Sequence, residues 1–290
     1  MSNPDITLYH ANWSLCSQMV RVALFEKGLA FKEKHIRLCD QYAEAENLDN
    51  DFLKINPHGT VPAVQIDESI ICGSEEIISQ LDKIEYSAGS SLYPKHINSV
   101  ELKKWVADTT ITDGVKFAST LGTIIPVFSS PLIQFMVKKL PFKSILKILI
   151  KHPKKDRKMV FIAMYFGNPA KSFINLGIKK YASELLNLEK VFADEREFFY
   201  GDFSHVDINL MCIFHRLVDL KLESSILTDN TPNLASYWKG LQHRSSYKKG
   251  ILDYYGEKEQ NTVREFYQDK ESPFIEKIIK EINFQATNHD

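Results

Sequence analysis

The stretch on which the fold turns is Trp13-Ser14-Leu15-Cys16-Ser17-Gln18-Met19-Val20-Arg21-Val22-Ala23-Leu24-Phe25-Glu26-Lys27-Gly28. Apolar residues at Val20, Ala23 and Leu24 have helical spacing, and Lys27 followed by Gly28 supplies a stop. Just ahead, the short apolar run Ile6-Thr7-Leu8-Tyr9 predicts a strand. Ser14 and Cys16 therefore stand at the mouth of a helix, among backbone N–H groups with no helical partner and at the positive end of the dipole. Such a place favours a thiolate, whether the protein's own or a ligand's.

Residues 31–38 predict a second strand, and the polar span 39–54 a loop with a short helix. The sequence NPHGTVPA (56–63) is a turn running into Val64-Gln65-Ile66. Asp67-Glu68-Ser69 turns the chain back into Ile70-Ile71-Cys72, which makes a hairpin. Ser74 is placed as the N-cap of a helix over 75–84. Strand, helix, strand, helix, hairpin, helix is the thioredoxin-like α/β arrangement. A composition break at 86–91 divides this half, 1–86, from an all-α half, 97–290.

Three segments, SLCSQMVRVALFEKG (14–28), NPHGTVPAVQIDESIICGSEEI (56–77) and FFYGDFSHVDINL (198–210), carry a resemblance. The chain resembles the glutathione S-transferase superfamily over 6–96 and 183–247. Ser14-Leu15-Cys16-Ser17 looks most like the zeta-class isomerases and the glutathione-dependent hydroquinone reductive dehalogenases. The resemblance implies glutathione as co-substrate, a small electrophile, a role in detoxification, a homodimer and a cytoplasmic location. It also implies that Ser14 donates to the glutathione sulfur and that Cys16 is able to form a mixed disulfide. Val61-Pro62 would be cis, turning the Val61 backbone toward the cysteinyl residue, and Ser74 would take the γ-glutamyl carboxylate. One departure stands out: the family's acidic or amide residue before that serine is Gly73 here, with Glu75 as the substitute at hand.

Each residue also has a plainer reading. Ser14 and Ser74 serve as helix caps, Cys16 as a buried inert thiol and Pro62 as an ordinary turn proline. Tyr9 is the residue type that other transferase classes set on the sulfur, or else it is packing.

The composition is that of a globular chain: 44% hydrophobic, 25% charged, net charge −1 over 290 residues. The first residues lack the pattern of a secretory signal. Cys16, Cys39, Cys72 and Cys212 lack metal-ligand spacing and read as reduced thiols, which again points to the cytoplasm. Neutrality conceals polarisation, since residues 114–183 hold 13 Lys and Arg against Asp156 alone. Within that segment, residues 117–137 are free of charge and predict a Pro-kinked core helix beside the second-substrate pocket. Residues 141–151 predict an amphipathic helix with Lys143, Lys147 and Lys151 along one face. The span 138–158 either lies on anionic membrane or packs over the bundle with its lysines in water. Nucleic acid is not expected, because the basic residues lack interleaved aromatic platforms.

Farther on, Ser204 to Asp207 forms a capping box that opens a buried helix as far as Leu222, with His205 and His215 read as surface and core residues. Thr231-Pro232-Asn233 starts another helix, and 266–284 predicts one charged terminal helix. Three functions are open at this point. One is a transferase using a Ser14-stabilised glutathione thiolate for conjugation, isomerisation or reductive dehalogenation. The others are a Cys16-centred thiol oxidoreductase and a non-catalytic membrane-associated interaction protein.

Overall fold

Strand β1 (Ile6–His10) carries the core in its pleat: Ile6 and Leu8 face one side of the sheet and Tyr9 the other. A computed structural model describes residues 4–85, 88–111 and 115–288. Helix α1 (Leu15–Glu26) follows β1 and ends on Lys27, with Gly28 at φ +62° as its left-handed stop. Strand β2 (Lys32–His35) is shorter than the sequence implied and is exposed along its length, an edge strand bearing Lys32 and Lys34. Helix α2 (Asn50–Ile55), the hairpin β3 (Ala63–Ile66) and β4 (Ser69–Cys72), and helix α3 (Ser74–Asp82) complete this half. Of the boundary expected at 86–91, the first two positions lie outside the described residues.

The sheet order is β2-β1-β3-β4, with β1 parallel to β2 and β3 antiparallel to both of its neighbours. Thr7 pairs with Lys32, Tyr9 with Ala63, and Ala63 with Cys72. Helices α1 and α3 pack together against one face, while Tyr9, Ala63 and Phe52 of α2 form a small cluster on the other.

Among the described residues everything beyond 97 that is regular is helical. The elements are α4 (Ser99–Asp108), α5 (Leu121–Lys139), α6 (Phe142–Lys151), α7 (Lys155–Phe166), α8 (Ile174–Val191), α9 (His205–Asp219), α10 (Pro232–Gln242), α11 (Ser245–Gly250), α12 (Glu257–Tyr267) and α13 (Ile275–Asn288), apart from short 3₁₀ turns. Helix α9 starts on the expected Ser204–Asp207 capping box and is buried over nearly its whole length. His205 and His215 are both core residues, which corrects the surface assignment of His205. Its Nδ1 pairs with the Tyr93 hydroxyl at 2.7 Å, tying the inter-domain segment to α9. The single terminal helix expected over 266–284 is two helices. Left-handed Gln268 and Asp269, followed by Pro273, break the chain between α12 and α13.

Helix α5 contains Pro126 and Pro131 and is long and apolar enough to cross a bilayer, yet most of it is buried in the bundle. One hydrophobic core runs through both halves, from Ile6 and Val20 through Phe214 to Ile282. A smaller core joins Cys39, Ala45 and Leu48 to Leu140, Ile145, Ile148 and Met164, so that α6 and α7 sit on the loop preceding α2.

Candidate active site

The sheet register brings three segments to one end. Chain leaving β1 at His10 reaches Ser14, chain entering β3 passes Pro62, and chain leaving β4 reaches Ser74. The amide of Gly73 donates to the Pro62 carbonyl at 3.4 Å, which binds the last two segments together.

Ser14 is the N-cap of α1. Its Oγ accepts from the Ser17 N–H at 3.3 Å, and among the described residues its own proton meets no acceptor. The cap reading and the donor reading are thus compatible, since one lone pair serves the helix and the O–H remains to donate. Cys16 is the second helical residue and is half-buried. Cys39 and Cys212 are buried, and burial pushes both thiols up, that of Cys39 to about 12. Cys72 on β4 is raised by burial as well.

The Val61–Pro62 bond is cis. Neither the N–H nor the C=O of Val61 bonds to another described residue, which leaves both to pair with an added extended chain. The preceding turn is fixed from below. Asn47 Nδ2 donates to the Gly59 carbonyl at 2.8 Å, and Asn56 Nδ2 donates to the Thr60 carbonyl at 2.6 Å. Gly59 has φ +63°, and a Cβ there would lie 3.1 Å from the Asn47 carbonyl oxygen and 3.3 Å from Pro153, just beyond α6.

Ser74 is buried, and it is the first residue of α3 rather than its cap. The cap is Gly73 at φ +89°, a backbone suited to glycine. With no side chain capping α3, the first N–H groups of the helix stay open to an anion. Glu75 and Glu76 lie exposed in the same turn. Tyr9 is buried on the far face of the sheet against Phe52, with Lys34 Nζ 3.5 Å from its hydroxyl; it is packing, not a partner of Ser14.

What holds the Ser14 loop in place was missed in the sequence. Arg21 lies inside α1, fully buried, and among the described residues it forms no ion pair. Its guanidinium donates to the carbonyls of Ala11 (3.3 Å), Asn12 (2.9 Å) and Gly250 (2.7 Å) and to His10 Nδ1 (2.9 Å), and rests 4.1 Å from the Tyr254 ring centre. Burial lowers Arg21 to about 10, so it stays protonated at neutral pH. Burial first, and the Arg21 charge second, drive His10 down to about 3. His10 is therefore neutral, its Nδ1 lone pair facing Arg21. From the other side, the Trp13 indole N–H donates to Asp219 Oδ2 at 2.7 Å, and the Trp13 carbonyl accepts from Arg216. A lone arginine amid Val20, Val22, Ala23 and Leu24 was the one signal available; Asp219 gave none.

Two of the cavities among the described residues are large enough for a small ligand. One, of about 310 Å³, lies between α4, the start of α5 and α8, lined by Lys104, Trp105, Leu121 and Lys180. The other, of about 710 Å³, lies beside His10, Asn12, Glu33, His35 and Tyr254. Ser14, Cys16, Val61, Pro62, Ser74 and Glu75 line neither of them.

Residues 13–84 match the family model described as glutathione S-transferase, N-terminal domain. The chain carries a glutathione S-transferase N-terminal domain. Beyond this domain as well as within it, the chain is 25% identical over 276 residues to glutathione S-transferase TCHQD of Arabidopsis thaliana, covering 86% of this chain and 90% of that one. Glutathione S-transferase Z1 of the same plant is 38% identical over 78 residues, 27% of this chain and 34% of that one. A tetrachloro-p-hydroquinone reductive dehalogenase of Sphingobium chlorophenolicum is 26% identical over 81 residues, 28% and 32%. The zeta and dehalogenase likenesses thus each span about a third of those proteins. In fold, the β-etherase LigF from Sphingobium sp. strain SYK-6 superposes with a TM-score of 0.72 at 19% identity, over 86% of this chain and 99% of that one.

Proposed function

We propose that the protein is a glutathione-dependent enzyme of the transferase type. Glutathione lies across the open end of the sheet. The Val61 backbone pairs with its cysteinyl residue, the bare start of α3 and Ser74 take the γ-glutamyl carboxylate, and Glu75 stands in for the acid missing at Gly73. Ser14 donates its free proton to the sulfur, favouring the thiolate. The thiolate then attacks a small electrophile: a carbon–sulfur bond forms, and a leaving group departs or a conjugated double bond takes the electron pair. Conjugation, isomerisation and reductive dehalogenation all begin with that step. The enzyme works as a homodimer in the cytoplasm.

The observation that carries this reading is Ser14, whose Oγ is oriented by the Ser17 N–H while its proton meets no acceptor among the described residues, at the end of the sheet shared by Val61 and Ser74. Calorimetric titration of glutathione into the protein, beside Ser14→Ala, tests it. Saturable binding with a thiolate ultraviolet absorbance that fades in Ser14→Ala supports the site; no binding removes it.

A second reading rests on Cys16, half-buried in the first turn of α1, where the dipole favours a thiolate. It would release a glutathionyl adduct by attacking the adduct's sulfur, leaving a protein–glutathione mixed disulfide and a reduced product. A second glutathione then regenerates the thiol, with glutathione disulfide as the oxidised product. Cys16→Ser abolishes that turnover and spares conjugation.

A further inference from the structure

Helix α6 was expected to show lysines on one side and Leu and Ile on the other. The structure divides it differently. Ser144, Ile145 and Ile148 are buried against the Cys39–Leu48 loop and α7. Lys147 is turned into the transferase domain, where its Nζ meets Asp49 at 2.8 Å and the Glu44 carbonyl at 2.5 Å. The face pointing outward is apolar: Phe142, Leu146, Leu149 and Ile150, at spacing i, i+4, i+7 and i+8, are 65, 44, 47 and 68% exposed. Helix α7 adds Met159 and Phe166, also exposed. Lys143 borders the α6 stripe on one side, Lys151 ends the helix, and Lys138 and Lys155 stand at the ends of the neighbouring helices. All four are exposed, and none forms an ion pair among the described residues.

We propose that this face docks the protein on an anionic lipid bilayer. A convex stripe of Phe, Leu and Ile on a single surface helix does not form a groove for a peptide. Bordered by lysines whose stems can lie along the acyl boundary, it fits an interface of negative headgroups over hydrocarbon. The charge agrees, since the 114–183 segment holds 13 basic residues and one acid. Docking of α6 also brings the proposed glutathione end of the sheet near the bilayer, because Pro153 abuts Gly59, two residues before Val61. This part rests on the proposed glutathione reading; the docking itself does not.

The test is flotation of the full-length protein with vesicles of phosphatidylcholine and phosphatidylserine in equal parts, beside vesicles of phosphatidylcholine alone, at low and high salt. Selective flotation with the serine lipid, weakened by salt, is expected. The solvent-facing double variant Leu146→Ser/Ile150→Ser should lose affinity about ten-fold or more, and Lys143→Glu/Lys151→Glu should lose it together with the salt dependence. Circular dichroism and glutathione titration of the variants report folding and the active site independently. Failure of wild-type protein to float with anionic vesicles at low salt overturns the proposal, as does equal flotation of Leu146→Ser/Ile150→Ser. A variant that changes only the sedimentation coefficient, and not flotation, assigns the face to a second copy of the chain and also overturns it.

Discussion

Replacing Ser14 by Asp separates the two duties of that hydroxyl. Aspartate is as good an N-cap as serine, so the bond from the Ser17 N–H is kept and stability should change by no more than a few tenths of a kcal/mol. An ionised carboxylate has no proton to give, however, and it repels a thiolate. A hydrogen bond to a charged acceptor is worth about 1.5–3 kcal/mol, which lowers a thiol from its ordinary value of about 8.5 by roughly one to two pH units. At pH 7 the thiolate fraction then rises from about 3% to between about 30% and 80%. Losing the donor should therefore slow conjugation about ten- to thirty-fold at neutral pH, with recovery as pH rises past the free thiol's value. The assay is the initial rate with glutathione and an activated aryl halide between pH 6 and 9, beside urea denaturation. Ser14→Ala should show the same kinetic loss plus about 1 kcal/mol of lost cap. A Ser14→Asp protein that keeps the wild-type pH–rate profile would refute the donor assignment and leave Ser14 a cap alone.

Three further outcomes follow from the packing. Arg21→Met strips the Ala11, Asn12 and Gly250 carbonyls of their donor and, at about 1–3 kcal/mol for each buried acceptor left unsatisfied, should cost several kcal/mol in urea titrations; a loss under about 1 kcal/mol would mean that the loop is held by Asp219 alone. Gly89→Ala places a Cβ 1.9 Å from the Glu26 carbonyl, and a thermal midpoint within a degree or so of wild type would contradict that close approach. His10 and His205 are driven by burial to about 3 and His152 to about 4, so below 6.5 the unfolded chain binds protons that the folded chain refuses. Their stabilisation is present above pH 6.5 and is lost as pH falls toward about 4 for His152 and about 3 for His10 and His205, at about 1.4 kcal/mol per pH unit for the fully buried His205 and less for the others. His205→Gln should flatten the slope by one group; a stability that is level from pH 7 to 5 would refute the assignment.

The α/β half was legible because its periods are local. Alternation at Ile6 and Leu8, helical spacing at Val20 and Leu24, and turn residues at Asp67 and Gly73 each act within a few residues. The same alternation, followed one step farther, decides Tyr9, which must face away from Leu8. The tethers of the site were not legible, since Trp13 finds Asp219 across 206 positions and Arg21 finds Gly250 across 229. Helix α6 was foreseen as a helix but not as oriented. Lys147 marks the margin of its buried side, and only the Cys39–Leu48 loop, far off in sequence, determines which of two apolar faces is covered. The break before α13 had its sign in Pro273, overridden by the apolar spacing on either side.

The core that Ile6, Val20, Phe214 and Ile282 share has a bearing on how the chain can be cut and rejoined. The stretch that matches the family model ends at residue 84, but the hydrophobic contacts of α1 do not: its inner face rests on α9 and α11. The stretch that the family model matches is thus smaller than the unit that folds. Transplanting the first 84 residues onto another helical partner would carry over Ser14, Val61 and Ser74 while stranding Trp13 and Arg21 without Asp219 and Gly250. A chimera of this kind keeps the candidate site residues and forfeits their geometry unless α9 and α11 travel with them.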